Sequence, residues 1–394
     1  MDHAPHLAQF RRLLALVRRE RDENLAQPFY IRPNIYWRPE RLQLEMQRVF
    51  RRAPLVLGHA AMLPKAGDTL VMDVLGQPLL IARGRDGTIR GFLNVCRHRG
   101  TRLCNTDNEN GITRQSQFTC PYHNWVYDLD GRLKHVPLEA EGFPGLDKAR
   151  FGLTPIPLAV REGMIFGIID PDVGAMDLDG FLAGIDQDLS VFGFGQMQFY
   201  AAATTKRKTN WKLIIDAFQE SYHVSRLHRS TVGPFFLDNC AVIDSLGPHS
   251  RAVVARTEFA EIAALPERDW DARRHSSFAY MLFPNTILVL HPDYTSILTM
   301  LPVAADETLF RHVMLVPQLP QDEKTEAHYR RSFDLIEGGV FQAEDLHIAE
   351  QAQIGMASGA NRTMIYGRFE SGIRRFHETL DEWLGTSSVS EMAE

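Results

Sequence analysis

The sequence is short of cysteine, of long apolar runs and of excess positive charge, and each shortage excludes a class of protein. Its 394 residues include four cysteines, Cys96, Cys104, Cys120 and Cys240, too few for a disulfide framework in a chain this long. Three of the four crowd between positions 96 and 120, a clustering that points to metal in a cytosolic protein. The longest uncharged stretch, His275 to Pro292, is interrupted by Pro284, Asn285 and His291, so no membrane span is expected. The start of the sequence lacks the order of basic stretch, apolar run and small-residue cleavage site that marks a secretory leader. A cytoplasmic, untethered protein is the expectation. With 43 Lys+Arg against 49 Asp+Glu and a net charge of −6, neutralising phosphates along nucleic acid is not its business. No phosphate-cradling glycine loop is present either, since Gly193-Phe194-Gly195 lacks both a third glycine and a strand–turn–helix setting. There is no internal repeat. What remains, 44% hydrophobic and 23% charged residues, is the composition of an ordinary globular protein with ample core.

Local patterns divide the chain. Residues 1 to about 50 read as mostly helical, with Arg11-Arg12 and Arg18-Arg19 on a solvated face and breaks at Gln27-Pro28 and Arg32-Pro33. From Pro54 to about Gly152, short apolar runs alternate with Gly-Asp, Gly-Gln and Asp-Gly turns, the texture of a small antiparallel β domain. Phe151 to Asp170 fits either its last strands or a linker. Beyond lie strand-like runs at Gln198–Thr204, Arg251–Thr257, Phe278–Met300 and Phe310–Pro317, with helical patterns at Trp211–His223, Glu323–Gly338 and Phe369–Leu384. Strands grouped together with helices at the ends predict an α+β fold with an antiparallel sheet.

Two Cys/His pairs carry the first chemistry: Cys96-Arg97-His98 followed by Gly100, and Cys120-Pro121-Tyr122-His123. Gly100 and Pro121 bend the backbone so that both pairs can turn onto one centre. Two chemistries fit. Cys2His2 is a structural zinc set, and it equally suits a [2Fe–2S] cluster with two thiolates on one iron and two imidazoles on the other. The spacing leaves both open. A second candidate lies in Asp216–His228: Asp216, Glu220 and His223 share one stripe of a regular helix, whereas His228 sits about 140° round from His223. A continuous helix cannot bring both imidazoles to one metal. Glu220-x-x-His223 and Glu344-x-x-His347 also match the paired element of di-iron carboxylate bundles, although the β-rich texture between them speaks against such a bundle.

The surrounding residues add a resemblance. Asn94 to Cys104 and Cys120 to Gly131 resemble the Rieske segment of Rieske-type non-haem iron oxygenases, with a longer gap between the pairs and Asn124 where the family commonly has glycine. Asn210-Trp211-Lys212 followed by Glu-x-x-His-x4-His, and Phe341 to Gln353, resemble the mononuclear iron segments of the same family. The resemblance implies a Rieske [2Fe–2S] domain over 51–155, and a catalytic domain over 156–394 with a curved antiparallel sheet and helices of helix-grip type. Residues 1–50 would be an arm packed on the catalytic domain. It implies Cys96 and Cys120 on the inner iron and His98 and His123 on the outer. By the same resemblance His223, His228 and Asp345 would form a facial triad for Fe(II), and Glu220 would bridge His123 of one subunit to His223 of its neighbour. It further implies a homotrimer, a separate NADH-dependent reductase or ferredoxin as donor, and dioxygen as co-substrate. Val232, Phe235, Phe236, Leu237 and the Met281–Met300 strands suggest an aromatic or bulky apolar small-molecule substrate. Glutamate at 220 instead resembles members that oxidise quaternary ammonium compounds. The alternative from another class is a zinc-stabilised binding protein without catalysis.

Overall fold

The computed structural model describes residues 6–106, 108 and 110–392. The chain forms two compact units: Arg51–Leu178, and Met1–Phe50 together with Asp179–Glu394.

The N-terminal segment contributes helix α1 (Leu7–Val17), strand β1 (Phe29–Ile31) and helix α2 (Pro39–Glu45), which runs into a π turn at Met46–Phe50. The expectation of a mostly helical segment misses β1. Its Phe-Tyr-Ile run pairs on both sides, with Met364–Tyr366 and with Val389–Ser390, so tertiary pairing decides what three residues cannot decide alone. Nor is the arginine face of α1 wholly solvated. Arg12 is partly buried between Glu23 and Asp244.

Within Arg51–Leu178 run β2 (Leu55–His59), β3 (Asp68–Val74), β4 (Gln77–Arg83), β5 (Ile89–Leu93), β6 (Ile112–Arg114), β7 (Phe118–Thr119), β8 (Val126–Tyr127), β9 (Leu133–His135), β10 (Leu158–Arg161) and β11 (Met164–Gly167). They form three antiparallel sheets in the orders β5-β4-β3-β6, β7-β8-β9 and β10-β11-β2. Leu75 and Gly76, both at positive φ, close the β3–β4 hairpin through the two-residue turn that matches strand twist. The Phe151–Asp170 stretch supplies strands, because β11 pairs with β2. That pairing carries the unit past position 155, to Leu178. Within the longer gap between the two Cys/His pairs, Asp107 and Glu109 lie outside the described residues.

The other unit is built on a seven-stranded antiparallel sheet. Its members are β12 (Gln198–Arg207), β13 (Phe236–Leu246), β14 (His249–Arg256), β15 (Ser276–Leu282), β16 (Thr286–Leu290), β17 (Thr295–Ala304) and β18 (Glu307–Val316). The order β12-β18-β17-β16-β15-β14-β13 is a meander from β13 to β18 with β12 on its outer flank. Bulges at Phe199/Ala201, Phe236/Ala241 and Pro302/Ala304 bend individual strands. β17 and β18 are buried on almost every residue, whereas β14 alternates, with Ala252, Val254 and Arg256 half-buried on one face.

Helices cover this sheet. Helix α3 (Trp211–Ala217) is capped by Asn210, whose side chain accepts the Lys212 N–H. The single turn α4 (Val224–Leu227) follows, then α5 (Glu323–Asp334), a wide π segment at Leu335–Asp345, α6 (Leu346–Ala357), β19 (Met364–Tyr366), α7 (Ser371–Leu384) and β20 (Val389–Ser390). Gly338-Gly339 inside the π segment are poor helix formers, and regular α geometry resumes only after Asp345. Lys212 and Glu45 form a fully buried ion pair at 2.7 Å, with the Trp211 indole N–H donating to the other Glu45 oxygen at 2.9 Å. This pair fixes α3 to α2. The architecture is mixed α+β, as the sequence predicts.

Candidate functional site

In Arg51–Leu178 the two Cys/His loops are built alike. Cys96 N–H donates to Thr101 O and Cys120 N–H to Trp125 O, both at 2.8 Å. Four residues on, Gly100 and Asn124 each return an N–H to the cysteine carbonyl, at 2.9 and 3.0 Å. Both of those residues are left-handed, at φ +77° and +56°. Asn124 thus takes the same backbone position as Gly100, since asparagine tolerates this region better than other side chains.

Cys96 and Cys120 are each 2% exposed. Burial pushes the Cys96 thiol up, against the opposing Tyr127 hydroxyl, which lies 3.3 Å from the sulfur and also accepts the Arg97 N–H. The His98 ring stacks on Trp125 at 4.8 Å, and the His123 ring lies 4.8 Å from His98. The Nδ1 atoms of His98 and His123 are buried without a hydrogen-bond partner. Two buried thiols and two orphaned imidazole nitrogens on paired loops suit a bound group. A single tetrahedral zinc would hold all four donors roughly 3.5 Å apart. Among the described residues these four do not form a group whose donor atoms all lie within 4.8 Å of one another. A two-iron cluster, with thiolates at one end and imidazoles at the other, fits the wider set. Cys104 lies outside the ligand pattern, buried in the core of this unit with its thiol pushed up to about 11 by burial.

In the other unit, His223, His228 and Asp345 offer three ligand atoms within 4.8 Å of one another, the one such group of metal donors among the described residues. The helix expected from Trp211 to His223 stops at Ala217. His223 and His228 then flank the single turn α4, so the helix breaks before His223, and the two imidazoles reach Asp345 from opposite ends of one turn in spite of their five-residue spacing. Asp216 leaves the stripe altogether, accepting from the Tyr36 hydroxyl at 2.7 Å and facing His377 Nε2 at 2.9 Å.

Each imidazole is held from behind. His223 Nδ1 meets Glu220 Oε1 at 2.5 Å, and Glu220 Oε2 also accepts the His223 backbone N–H. His228 Nδ1 meets Glu344 Oε2 at 2.7 Å, and that oxygen accepts a second hydrogen bond from Thr231 Oγ1. With Nδ1 committed, both Nε2 atoms turn to Asp345 Oδ1, at 3.8 and 3.1 Å, while that buried oxygen accepts no hydrogen bond. Burial alone would lower the His228 pKa; the Asp345 and Glu344 carboxylates outweigh it and raise it. Carboxylate–imidazole pairs behind a His2Asp set are what a divalent metal needs to fix tautomer and ring orientation.

Glu344 is the residue that sequence reasoning missed, having been read only as half of a Glu-x-x-His pair. His347, the other half, is exposed. The signal was adjacency: a carboxylate beside Asp345 can reach back to an imidazole. The π segment places both, and it is anchored to the sheet by Arg207–Gln342 and His312–Glu337 hydrogen bonds, while α6, which continues it, accepts the N–H of Asn210, the α3 cap, on Gln353.

The triad borders a cavity of about 390 Å³, in the lower part of the small-molecule range of about 300–1,000 Å³. Its walls are mainly apolar and include Val232, Phe235 and Phe236 as expected. Leu237 and Met281 are not among its lining residues, and of the Met281–Met300 run it is Val289, with the loop at His291–Tyr294, that faces the cavity.

Residues 53–154 match the Rieske [2Fe–2S] domain, and residues 194–386 match the catalytic domain of the ring-hydroxylating alpha subunit. The chain is 38% identical over 198 residues to chlorobenzene dioxygenase subunit alpha of Cupriavidus sp. (strain PS12), covering 49% of this chain and 43% of that one. It is 28% identical over 353 residues to the carnitine monooxygenase oxygenase subunit of Escherichia coli (strain K12), covering 85% and 88%. The match thus spans less than half the length of the chlorobenzene relative and nearly all of the carnitine one. Among solved structures, a quaternary ammonium Rieske monooxygenase superposes with a TM-score of 0.77 at 22% identity, covering 92% of this chain and 96% of that one. Naphthalene 1,2-dioxygenase from Rhodococcus sp. gives 0.76 at 21%, covering 96% and 97%. At these identities the two structures speak to the fold.

Proposed function

The chain belongs to the family of Rieske-type ring-hydroxylating oxygenase alpha subunits, and from that premise we propose that it is a terminal oxygenase acting on an aromatic or bulky apolar small molecule. The observation that carries this reading is the convergence of His223 Nε2, His228 Nε2 and Asp345 Oδ1 beside an apolar cavity. Cys96 and Cys120 would hold one iron of a [2Fe–2S] cluster and His98 and His123 the other; His223, His228 and Asp345 would hold Fe(II). When bound, these groups supply single electrons and activate dioxygen. The chain's own residues do the rest. Glu220 and Glu344 keep each imidazole in the tautomer whose Nε2 is free for metal, Trp125 holds the His98 ring flat, and the cavity walls exclude water from the substrate.

On this reading Glu220 also accepts a hydrogen bond from His123 of an adjacent subunit, so the working unit is a homotrimer, supplied by a separate NADH-dependent reductase or ferredoxin. We place it in the cytoplasm; among the described residues no helix is long and apolar enough to cross a membrane. Oxidation or N-demethylation of a quaternary ammonium compound is the second reading, supported by the nearly full-length match to the carnitine enzyme. It is opposed by the cavity itself: the Arg256 guanidinium lies over the Phe235 and Phe236 rings at 5.7 and 5.6 Å, putting a positive charge where a cationic head would seek aromatic faces. Dioxygen uptake by the reduced, reconstituted protein across aromatic and quaternary ammonium candidates tests the proposal. Uptake coupled to an oxygenated arene supports it, and product from the ammonium compounds alone overturns the substrate reading.

A further inference from the structure

The cavity wall contains polar atoms that nothing in the chain satisfies. Arg256 Nε, Ser277 Oγ and His291 Nε2 are each buried and without a hydrogen-bond partner, and all three residues line the cavity. Their grouping follows from strand register. Val254 pairs with Ser277 across β14 and β15, and Phe278 pairs with Leu290 across β15 and β16, which sets Ser277 opposite His291. Arg256 lies two residues beyond Val254, on the same face of β14. One row inward, Ala252, Ala279 and Val289 line the cavity with small apolar side chains. The sheet floor thus changes from apolar to polar within a single row.

Burying unsatisfied donors costs free energy unless a ligand completes them. The ion-pair contact of the Arg256 guanidinium, to Glu258, is 3.6 Å away, beyond hydrogen-bond reach. The acidic residue lining this end, Asp293, is engaged by His328. His291 is neutral, its pKa pushed down to about 3 chiefly by burial and then by the positive charges around it, and a neutral ring still offers one N–H. Ser277, 5% exposed, offers a hydroxyl. A guanidinium and two neutral donors on one face of a small apolar cavity are complementary to a planar anion.

Resting on the oxygenase reading above and narrowing it, we propose that the substrate carries a carboxylate, bound by Arg256 with Ser277 and His291 while its apolar body fills the cavity beside His223, His228 and Asp345. Arg256 is then a specificity-determining residue: it selects acids over the corresponding neutral arenes and fixes which end of the molecule lies toward the metal-binding triad.

The test is calorimetric binding to the cluster-loaded protein of benzoate, phenylacetate and 2-naphthoate, each against its methyl ester and primary amide. The acids are expected to bind about ten- to a hundredfold more tightly than the neutral forms, the range set by hydrogen bonds to a charged group. Arg256→Gln should erase that ratio, Arg256→Lys should restore part of it, and Ser277→Ala should reduce acid affinity while leaving ester affinity alone. Ser277→Ala keeps the question open to test if Arg256→Gln fails to fold. Equal affinity for acids and esters in the unmodified protein, or an acid preference that survives Arg256→Gln, overturns the proposal. Neither result touches the oxygenase reading, which the cluster spectrum and the iron content of the protein test separately. Arg256-dependent binding of carboxylated quaternary amines in preference to the aromatic acids would support the anion site while removing the aromatic substrate.

Discussion

Removing Glu344 should loosen the mononuclear metal without disturbing the cluster. Its Oε2 accepts from His228 Nδ1 and from Thr231 Oγ1, both at 2.7 Å, and the His228 side chain is only 4% exposed. In Glu344→Ala the imidazole keeps a buried N–H with no acceptor, at a cost of about 1–3 kcal/mol, and the ring is free to turn its Nε2 away from Asp345. Losing a carboxylate behind a ligating histidine typically weakens metal binding about ten- to a hundredfold, which is the expected loss here. Glu344→Gln retains a carbonyl oxygen that can accept from Nδ1, so its loss should be smaller. His347→Ala, at an exposed residue, should lose nothing. The assay is dialysis against graded chelator, followed by iron and acid-labile sulfide per chain, so that the cluster serves as an internal standard. If Glu344→Ala holds its second kind of iron as firmly as the unmodified protein, the support role is wrong. If His347→Ala instead strips that iron, the paired Glu-x-x-His reading returns.

Three further outcomes follow from the geometry. Glu45→Gln leaves Lys212 in a fully buried site without its counter-ion and should lose about 3–5 kcal/mol of stability in urea, with Lys212→Met in the same chain recovering much of it; an undiminished unfolding midpoint for the single variant would refute the argument. Glu370 has its pKa pushed up to about 7, chiefly by burial, then by the neighbouring Glu220 and Asp216 charges against one backbone hydrogen bond. A folded-state value above the unfolded one means that its contribution is fully present below about pH 4.5 and lost as pH rises through about 7, so Glu370→Gln should gain stability relative to the unmodified protein across that window. After discounting for partial exposure, the gain should be no more than about 2 kcal/mol, and melting curves at pH 5 and pH 8 with the same difference would contradict it. Asn124→Gly should leave the second Cys/His loop intact, whereas Asn124→Val forces a branched side chain into φ +56° and should cost at least about 1–2 kcal/mol, read as faster bleaching of the cluster's visible absorbance.

The Cys/His loops were legible in the sequence because their chemistry is local: ligand, turn and aromatic lie within a dozen residues, and the left-handed position accepts asparagine as well as glycine. The triad was legible only through resemblance. Helical periodicity argued against pairing His223 with His228, yet the two close on Asp345 from the ends of one isolated turn; nor does anything in Phe218 to His223 announce the earlier end of α3, beside which Asp216 bonds to Tyr36 and His377, residues far away in sequence. Strand β13 was hidden because Asp238, Asn239 and Asp244 interrupt its apolar run; Asp244 belongs there because Arg12 and Arg251 pair with it. Glu344 and Arg256 share this character. Their roles depend on what faces them across the fold, which no window of sequence contains.

The account rests on one chain carrying two unlike iron sites, and iron and sulfide analysis joined to electron-spin resonance tests that most directly. Reconstituted protein should contain about three irons and two labile sulfides per chain, two of the irons in a histidine-ligated cluster signal and one lost selectively in Asp345→Ala. Zinc in place of iron, or an Asp345→Ala protein that keeps all three irons, would contradict it.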